Sequence, residues 1–265
     1  MKLMIIDFDG NAANTFTASP NGIGVKEAYE IAIHNIFGDT GERIYWKIGG
    51  LKNRSPGELV TDLFSAAEDS QELLNHGKVF HENQNGNLSR FVPEGKGAGL
   101  TWNDSQPETT LAEMLVLRKL ELLTAEIGPE WPKPFEGVLS FLKQCEEKGI
   151  KVIILSSGHE LFIKKVFQLW GAKAPEMITD DDFRGKTPYL TKPDPALIEF
   201  VLKKAPQCTP ICYLGDDPLK DGQLAKNAGI PFGWFNPSRE KSSVALPENT
   251  IEFQNWEELP GLLHW

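Results

Sequence analysis

The sequence predicts an α/β fold in which a doubly wound parallel sheet carries an inserted, mostly helical domain. Four apolar runs of strand length lack polar alternation, which is typical of strands buried on both faces. These runs are Leu3–Ile6, Val152–Leu155, Ile211–Leu214 and Pro231–Phe235. In the second half of the chain they alternate with helical patterns, which implies a parallel sheet with helices on both faces and right-handed crossovers.

Helical patterns fill the intervals between the later strands. Apolar residues recur at helical spacing over 138–145 and over 162–169, and a glycine follows each stretch as a C-terminal stop. Asp194 and Pro195 are typical of a helix N-terminus, because an acid caps free amide groups and proline suits the first turn.

Residues 20–131 are predicted to form a mostly helical insertion between the first strand and the rest of the sheet. Helical patterns without a convincing strand lie near 25–37, 57–73 and 109–126. The polar, glycine-rich stretch from His81 to Thr109 is predicted to be a loop. The predicted core domain therefore comprises residues 1–19 and 132–265.

Composition narrows the possible partners. Of 265 residues, 40% are hydrophobic and 24% charged, and the net charge of −10 disfavours nucleic-acid and anionic lipid surfaces. Three cysteines without a close pair argue against a disulfide framework or a zinc site. No apolar stretch is long enough to cross a bilayer or to act as a signal peptide. We expect a reduced, cytoplasmic protein; the sequence does not indicate its oligomeric state.

Acidic and hydroxyl side chains follow the predicted strands at the edge where open parallel sheets bind ligands. They are Asp7 and Asp9, then Ser156 and Ser157, then Asp216, Asp217 and Asp221. Carboxylates brought together need a counter-charge, and oxygen ligands favour Mg²⁺. Lys192, in a loop before a helix, and a hydroxyl group beside such a metal would cradle a phosphoryl group. Asp7 would then be a nucleophile and Asp9 a general acid and base.

These segments resemble the motifs of the haloacid dehalogenase (HAD) superfamily of phosphohydrolases, over most of the chain outside the insertion. Asp7-Phe8-Asp9-Gly10 resembles the first motif, DxDG, directly after a strand. Ser156 resembles the second motif and Lys192 the third, within a KPDP-like sequence. Gly215-Asp216 through Asp221 resembles the fourth. A lone DxD is more often a surface turn, whereas four elements in order indicate a metal-dependent phosphoryl site.

The resemblance implies a role for each matching residue. Asp7 would form an aspartyl-phosphate, and Asp9 would be the general acid and base. Ser156 and Lys192 would bind the phosphoryl oxygens; Ser156 is favoured over Ser157 because it comes first after the strand. Mg²⁺ would be held by carboxylates and by a main-chain carbonyl of Asp9, with Asp217 or Asp221 as the second acid; the ligand candidates are Asp7, Asp9, Asp216, Asp217 and Asp221.

Three further residues qualify this interpretation. Asn11 stands where the family usually has threonine, and it is a candidate for hydrogen bonding in the substrate site. Arg54 lies in a segment similar to the cap loop of beta-phosphoglucomutase, whose arginine meets a substrate phosphate; a plain surface salt bridge is an equal alternative. His159 is predicted to face water in the first turn of a helix.

The sequence therefore predicts a Mg²⁺-dependent phosphatase of a small phosphorylated metabolite. The insertion resembles the helical cap of the branch that contains phosphoglycolate phosphatases and beta-phosphoglucomutase. An acid at Asp9 favours phosphate chemistry, because haloacid dehalogenases proper lack it. A sugar-phosphate mutase, a receiver-like signalling domain and a catalytically impaired metabolite-binding protein are the alternatives.

Overall fold

The protein is described here by a computed structural model over residues 1–50, 54–96 and 99–264. It divides into two compact units. The first contains Met1–Phe16, Gly128–Asp182 and the chain from Pro188 onward, and the second contains Thr17–Ile127 and Phe183–Thr187. The expected core domain included residues 183–187, but Arg184 in that segment pairs its Nε with buried Glu113 Oε2 of the second unit, at 2.5 Å.

Within the described ranges, the first unit forms a six-stranded sheet with the order β3-β2-β1-β4-β5-β6. All neighbouring strands are parallel. The strands are β1 (Lys2–Ile6), β2 (Lys151–Leu155), β3 (Glu176–Ile178), β4 (Thr209–Gly215), β5 (Phe232–Phe235) and β6 (Ile251–Phe253). The predicted α/β class with a parallel sheet is confirmed.

The centre of the sheet explains where a site can form. Leu3 through Ile6 are completely buried, which is why the run carries no polar alternation. Ile6 pairs with Ile154 of β2 on one side and with Leu214 of β4 on the other. Because the strand order runs outward in both directions from here, the carboxyl ends of β1 and β4 border the topological switch point.

Over the described residues, the sheet contains the four predicted strands and two others. β3 and β6 are three residues long, and each includes a glutamate, at Glu176 and Glu252. Both lie at the edges of the sheet, and each pairs with one neighbouring strand among the residues that the structure describes. Such short segments carry too few apolar residues to stand out as strands in the sequence.

The second unit is helical over its described residues. It contains α1 (Val25–Lys47), α2 (Pro56–Ala66), α3 (Ser70–Leu88) and α4 (Pro107–Glu126), with a 3₁₀ turn at Ser89–Phe91. Gly38 interrupts the helical geometry of α1 at φ 65°. Ser55 caps α2, accepting a hydrogen bond from the Glu58 amide at 3.2 Å. None of the described helices is long and apolar enough to cross a membrane.

Two predictions for the second unit are wrong. The pattern near 57–73 belongs to two helices, α2 and α3, rather than one. The stretch from His81, predicted as a loop, is helical as far as Leu88. Few apolar side chains mark α3, but Leu73 and Leu88 are buried, and Gly77 lies so close to the Leu111 side chain that a Cβ would overlap it. Close packing against α4 thus supports a helix with a weak sequence pattern.

The remaining helices belong to the first unit. They are α5 (Val138–Glu147), α6 (Glu160–Leu169), α7 (Ala196–Lys204), α8 (Gln223–Ala228) and α9 (Leu259–Leu262). The predicted stops after α5 and α6 are confirmed, since Gly149 has φ 64° and Gly171 has φ 65°. Asp194 accepts a hydrogen bond from the amide of Ala196 at the start of α7, at 2.9 Å.

Candidate active site

The turn after β1 positions the first two acids. The Asp7 amide donates to Leu214 O at 2.8 Å, which continues the pairing of β1 with β4. The chain then turns at Gly10, whose φ is +74°. A Cβ at Gly10 would overlap the phenyl ring of Phe16 and would lie 2.5 Å from Asp216 Oδ2. Glycine is therefore required here both by the backbone conformation and by the space.

Carboxylates from the ends of β1 and β4 meet at the switch point. Asp7, Asp216 and Asp221 each offer an oxygen, and the three oxygens lie within 4.8 Å of one another. Asp217 caps the turn that follows β4 instead: its Oδ1 accepts hydrogen bonds from the amides of Leu219 and Lys220, at 2.8 and 3.2 Å. Of the two acids that the sequence left as alternatives, Asp221 joins this carboxylate group.

Lys192 supplies the positive charge of the site. Its Nζ lies 2.8 Å from Asp7 Oδ1 and 2.8 Å from Asp221 Oδ1. Both oxygens of Asp221 have further partners, because Tyr213 OH donates to Oδ1 at 2.6 Å and the Asp217 amide donates to Oδ2 at 3.2 Å. Asp221 therefore fixes the lysine, and Asp7 and Asp216 are the carboxylates better placed to take a cation directly.

Burial makes the charges of this group costly. It raises the pKa of Asp7 well above its usual range; Lys192 opposes the shift, and Asp221 and Asp216 add to it. Burial, reinforced by the charge of Asp221, raises the pKa of Asp216 to about 7. Burial disfavours the charge on Lys192, but Asp221 and Asp7 outweigh it and raise the pKa of the lysine. Three carboxylates and one ammonium leave two negative charges in excess, and a divalent cation would balance them.

Asp9 points toward hydroxyl groups rather than into the carboxylate group. Its Oδ1 accepts a hydrogen bond from Thr15 Oγ1 at 2.7 Å, and its Oδ2 lies 3.4 Å from Ser156 Oγ. The Gly158 amide donates to Ser156 Oγ at 2.8 Å, which holds the hydroxyl in place. A Cβ at Gly158 would lie 2.7 Å from Asp9 Oδ2, so the loop after β2 approaches Asp9 as closely as a glycine allows.

Asn11 is fully buried and connects the two central strands. Its Nδ2 donates to Asp7 O at 3.0 Å and to Leu214 O at 3.1 Å. The main-chain carbonyl of Asn11 accepts a hydrogen bond from Trp256 Nε1 at 3.1 Å. Both side-chain amide hydrogens of Asn11 therefore bind main-chain carbonyls beside Asp7, and a contact of Asn11 with substrate stays a prediction.

The other substrate-binding candidates have different surroundings. Ser157 is exposed in the loop after β2. Arg54 belongs to the second unit, where its Nε pairs with Asp62 Oδ2 at 2.6 Å and its other donors reach Gly50 O and Ile48 O at 2.8 and 3.0 Å. The salt bridge that the sequence left open for Arg54 is therefore present, and a contact with substrate stays a prediction.

The prediction for His159 is wrong. This residue was predicted to face water, but it is 4% exposed, and its Nδ1 lies 3.1 Å from Asp181 Oδ1. Asp181 Oδ2 also accepts a hydrogen bond from the Glu160 amide at 2.8 Å. Asp181 lies in a 3₁₀ turn that follows β3, a strand with no clear signal in the sequence, so this partner could not be predicted.

Tyr213 and Thr15 are site residues that the sequence analysis missed. Tyr213 stands inside the apolar run of β4, where an aromatic residue normally indicates core packing alone. Thr15 falls six positions after Asp9, with no periodic pattern to connect the two. The spacing of eight residues between Tyr213 and Asp221 does not by itself indicate that the hydroxyl group and the carboxylate meet.

The fold and the site together define a class of enzymes in which a parallel sheet presents a nucleophile candidate, a lysine and paired acids at its switch point. The particular family follows from the sequence as a whole. The profile of haloacid dehalogenase-like hydrolases matches residues 24–229, and the chain belongs to this family. Among curated proteins, none matches the sequence.

Solved structures share the fold. CbbY from Rhodobacter sphaeroides in complex with phosphate is 14% identical, with a TM-score of 0.57 and coverage of 100% of both chains. The 2-haloacid dehalogenase from Pseudomonas syringae pv. Tomato DC3000 is 17% identical, with a TM-score of 0.54 over 100% of this chain and 98% of that one. Magnesium-bound YfnB from Bacillus subtilis is 15% identical, with a TM-score of 0.50 over 100% and 99%.

Proposed function

We propose that the protein is a Mg²⁺-dependent phosphatase that hydrolyses a small phosphorylated metabolite through an aspartyl-phosphate on Asp7. One observation carries the proposal: the carboxylate oxygens of Asp7, Asp216 and Asp221 lie within 4.8 Å of one another, and Lys192 Nζ is 2.8 Å from Asp7. Membership of a hydrolase family supports the reaction class.

Asp7 is the nucleophile in this proposal. Lys192 holds Oδ1, so we assign the attack on phosphorus to Oδ2. A bond forms between this oxygen and phosphorus while the bond from phosphorus to the ester oxygen breaks. The charge of Lys192 opposes the rise that burial causes in the pKa of Asp7, and it would stabilise the charge on the phosphoryl oxygens.

Asp9 is the general acid and base. It protonates the leaving ester oxygen in the first step and removes a proton from water in the second, when that water attacks phosphorus and frees Asp7. The hydroxyl of Thr15 fixes the orientation of its carboxylate, at 2.7 Å. Ser156, whose Oγ lies 3.4 Å from the other carboxylate oxygen of Asp9, would donate a hydrogen bond to a phosphoryl oxygen.

The donor set fits Mg²⁺. The available ligands are oxygens, from Asp7 and Asp216 and, as the family resemblance implies, the main-chain carbonyl of Asp9. When bound, the cation would neutralise the excess negative charge and polarise the phosphoryl group. Asp221 acts on this arrangement through Lys192, which it holds at 2.8 Å. The magnesium in YfnB supports the same choice of ion.

The presence of Asp9 favours phosphate esters over carbon–halogen bonds. Haloacid dehalogenases proper lack an acid at this position, although a 2-haloacid dehalogenase shares the fold. The phosphate bound to CbbY supports this choice. We infer further that the helical insertion, residues 20–131, is a cap that selects the substrate, as in the phosphoglycolate phosphatase and beta-phosphoglucomutase branch.

The test is phosphate release from p-nitrophenyl phosphate and from a panel of phosphorylated metabolites, with Mg²⁺ and with excess chelator. We expect activity that requires Mg²⁺ and that Asp7→Asn abolishes. Full activity in chelator, or in Asp7→Asn, would contradict the mechanism. Isomerised sugar phosphate without net phosphate release would indicate a mutase instead.

A further inference from the structure

Phe16 is a large apolar residue exposed beside the candidate active site. Its side chain is 64% exposed, and its ring lies so close to Gly10 that a Cβ there would overlap it. The same Cβ would lie 2.5 Å from Asp216 Oδ2, so the ring and the carboxylate border one small space. Single exposed apolar side chains are common on protein surfaces; the position of Phe16 next to a buried carboxylate group is what distinguishes it.

A second exposed apolar residue lies at the same edge of the sheet. Leu219 is 53% exposed and follows β4 in the turn that Asp217 caps. The ring of Phe16 borders Gly10 in the turn after β1, and β1 and β4 are adjacent and parallel. Both side chains therefore stand beyond the carboxyl ends of the two strands that supply Asp7 and Asp216.

We propose that Phe16 is a specificity-determining residue that packs against the organic group of the substrate, which favours phosphomonoesters with an apolar or aromatic group next to the phosphate. The inference rests on the proposed function, because it places the phosphoryl group at Asp7. A single ester oxygen separates phosphorus from the organic group. With the phosphoryl group at Asp7, the organic group therefore begins close to the residues that border Asp7.

The apolar ring of Phe16 disfavours strongly polar organic groups. A phenyl face gains free energy when carbon groups displace water from it, and a polyol chain gains much less. The exposed ring of Phe16 therefore favours apolar groups directly attached to the phosphoryl oxygen.

The test compares wild type with Phe16→Ala on two esters, phenyl phosphate and glycerol 2-phosphate, both with Mg²⁺. We expect kcat/KM for phenyl phosphate to fall about tenfold in Phe16→Ala, which corresponds to about 1.4 kcal/mol, and for glycerol 2-phosphate to change less than about twofold. Phe16→Tyr keeps the ring and should retain the preference. Leu169→Ala is the matched control, since Leu169 is an exposed apolar residue at the far end of α6.

Inhibition by phosphonates provides a readout that does not depend on turnover of the ester. Phenylphosphonate should inhibit Phe16→Ala about tenfold more weakly than wild type, whereas methylphosphonate should inhibit both equally. An unchanged ratio between the two esters, or an equal loss on both, overturns the assignment of Phe16 while the phosphatase activity stands. A wild-type protein that releases no phosphate from any ester overturns the proposed function and this inference with it.

Discussion

Asp216→Asn should stabilise the metal-free protein, and the gain should grow with pH. The pKa of Asp216 in the folded protein is about 7, against 3.8 for the unfolded chain, because burial and Asp221 disfavour its charge. A rise from 3.8 to about 7 corresponds to about 4 kcal/mol of unfolding free energy. Because folding raises the pKa of this acid, the loss of unfolding free energy is absent below pH 3.8, grows as the pH rises, and is complete above pH 7.

Urea unfolding in chelator measures this cost. We expect Asp216→Asn to exceed wild type by about 2 kcal/mol at pH 5.5 and by about 4 kcal/mol at pH 8, with an unchanged m-value. Adding Mg²⁺ at pH 8 should stabilise wild type by mass action and leave Asp216→Asn nearly unaffected. Equal stability of the two proteins at pH 8 in chelator, or equal stabilisation of both by Mg²⁺, would refute the reasoning.

Three further substitutions probe the groups around Asp7. Lys192→Met removes the ammonium between two buried carboxylates, so thermal unfolding at pH 8 should report a loss of about 3 to 5 kcal/mol, and a variant as stable as wild type would argue against the ion pairs. Tyr213→Phe leaves Asp221 with one donor fewer; we expect a loss of about 1.5 to 3 kcal/mol in urea unfolding, together with a lower kcat. Asn11→Ala removes the two side-chain hydrogen bonds to the main-chain carbonyls of Asp7 and Leu214; steady-state kinetics should show kcat reduced with KM little changed, whereas a selective rise in KM would indicate a substrate contact.

Much of the site could be predicted because strand ends are visible in the sequence. Asp7 and Asp216 each follow a fully apolar run, and parallel strands bring their carboxyl ends to one edge of the sheet. Lys192 was found through its motif. Its contact with Asp221, at 2.8 Å, could not be predicted, because only the folded chain brings the two residues together.

The parts that escaped prediction have weak local signals. Tyr213 is a core residue by its strand position, and only the turn after β4 brings Asp221 back to its hydroxyl. His159 is buried because Asp181, after the short β3, reaches it from another loop. In α3, buried leucines are sparse and the close approach at Gly77 supports the helix, so its C-terminal part resembles a loop in composition.

Asp7 is the residue on which the proposed mechanism depends most, because it receives the phosphoryl group. The direct measurement is rapid quenching of wild type during turnover of a phosphorylated substrate with Mg²⁺, followed by borohydride reduction and peptide mass spectrometry. We expect reduction of Asp7 to homoserine, dependent on both substrate and Mg²⁺. Reduction at another residue, or turnover without modification at Asp7, would contradict the account.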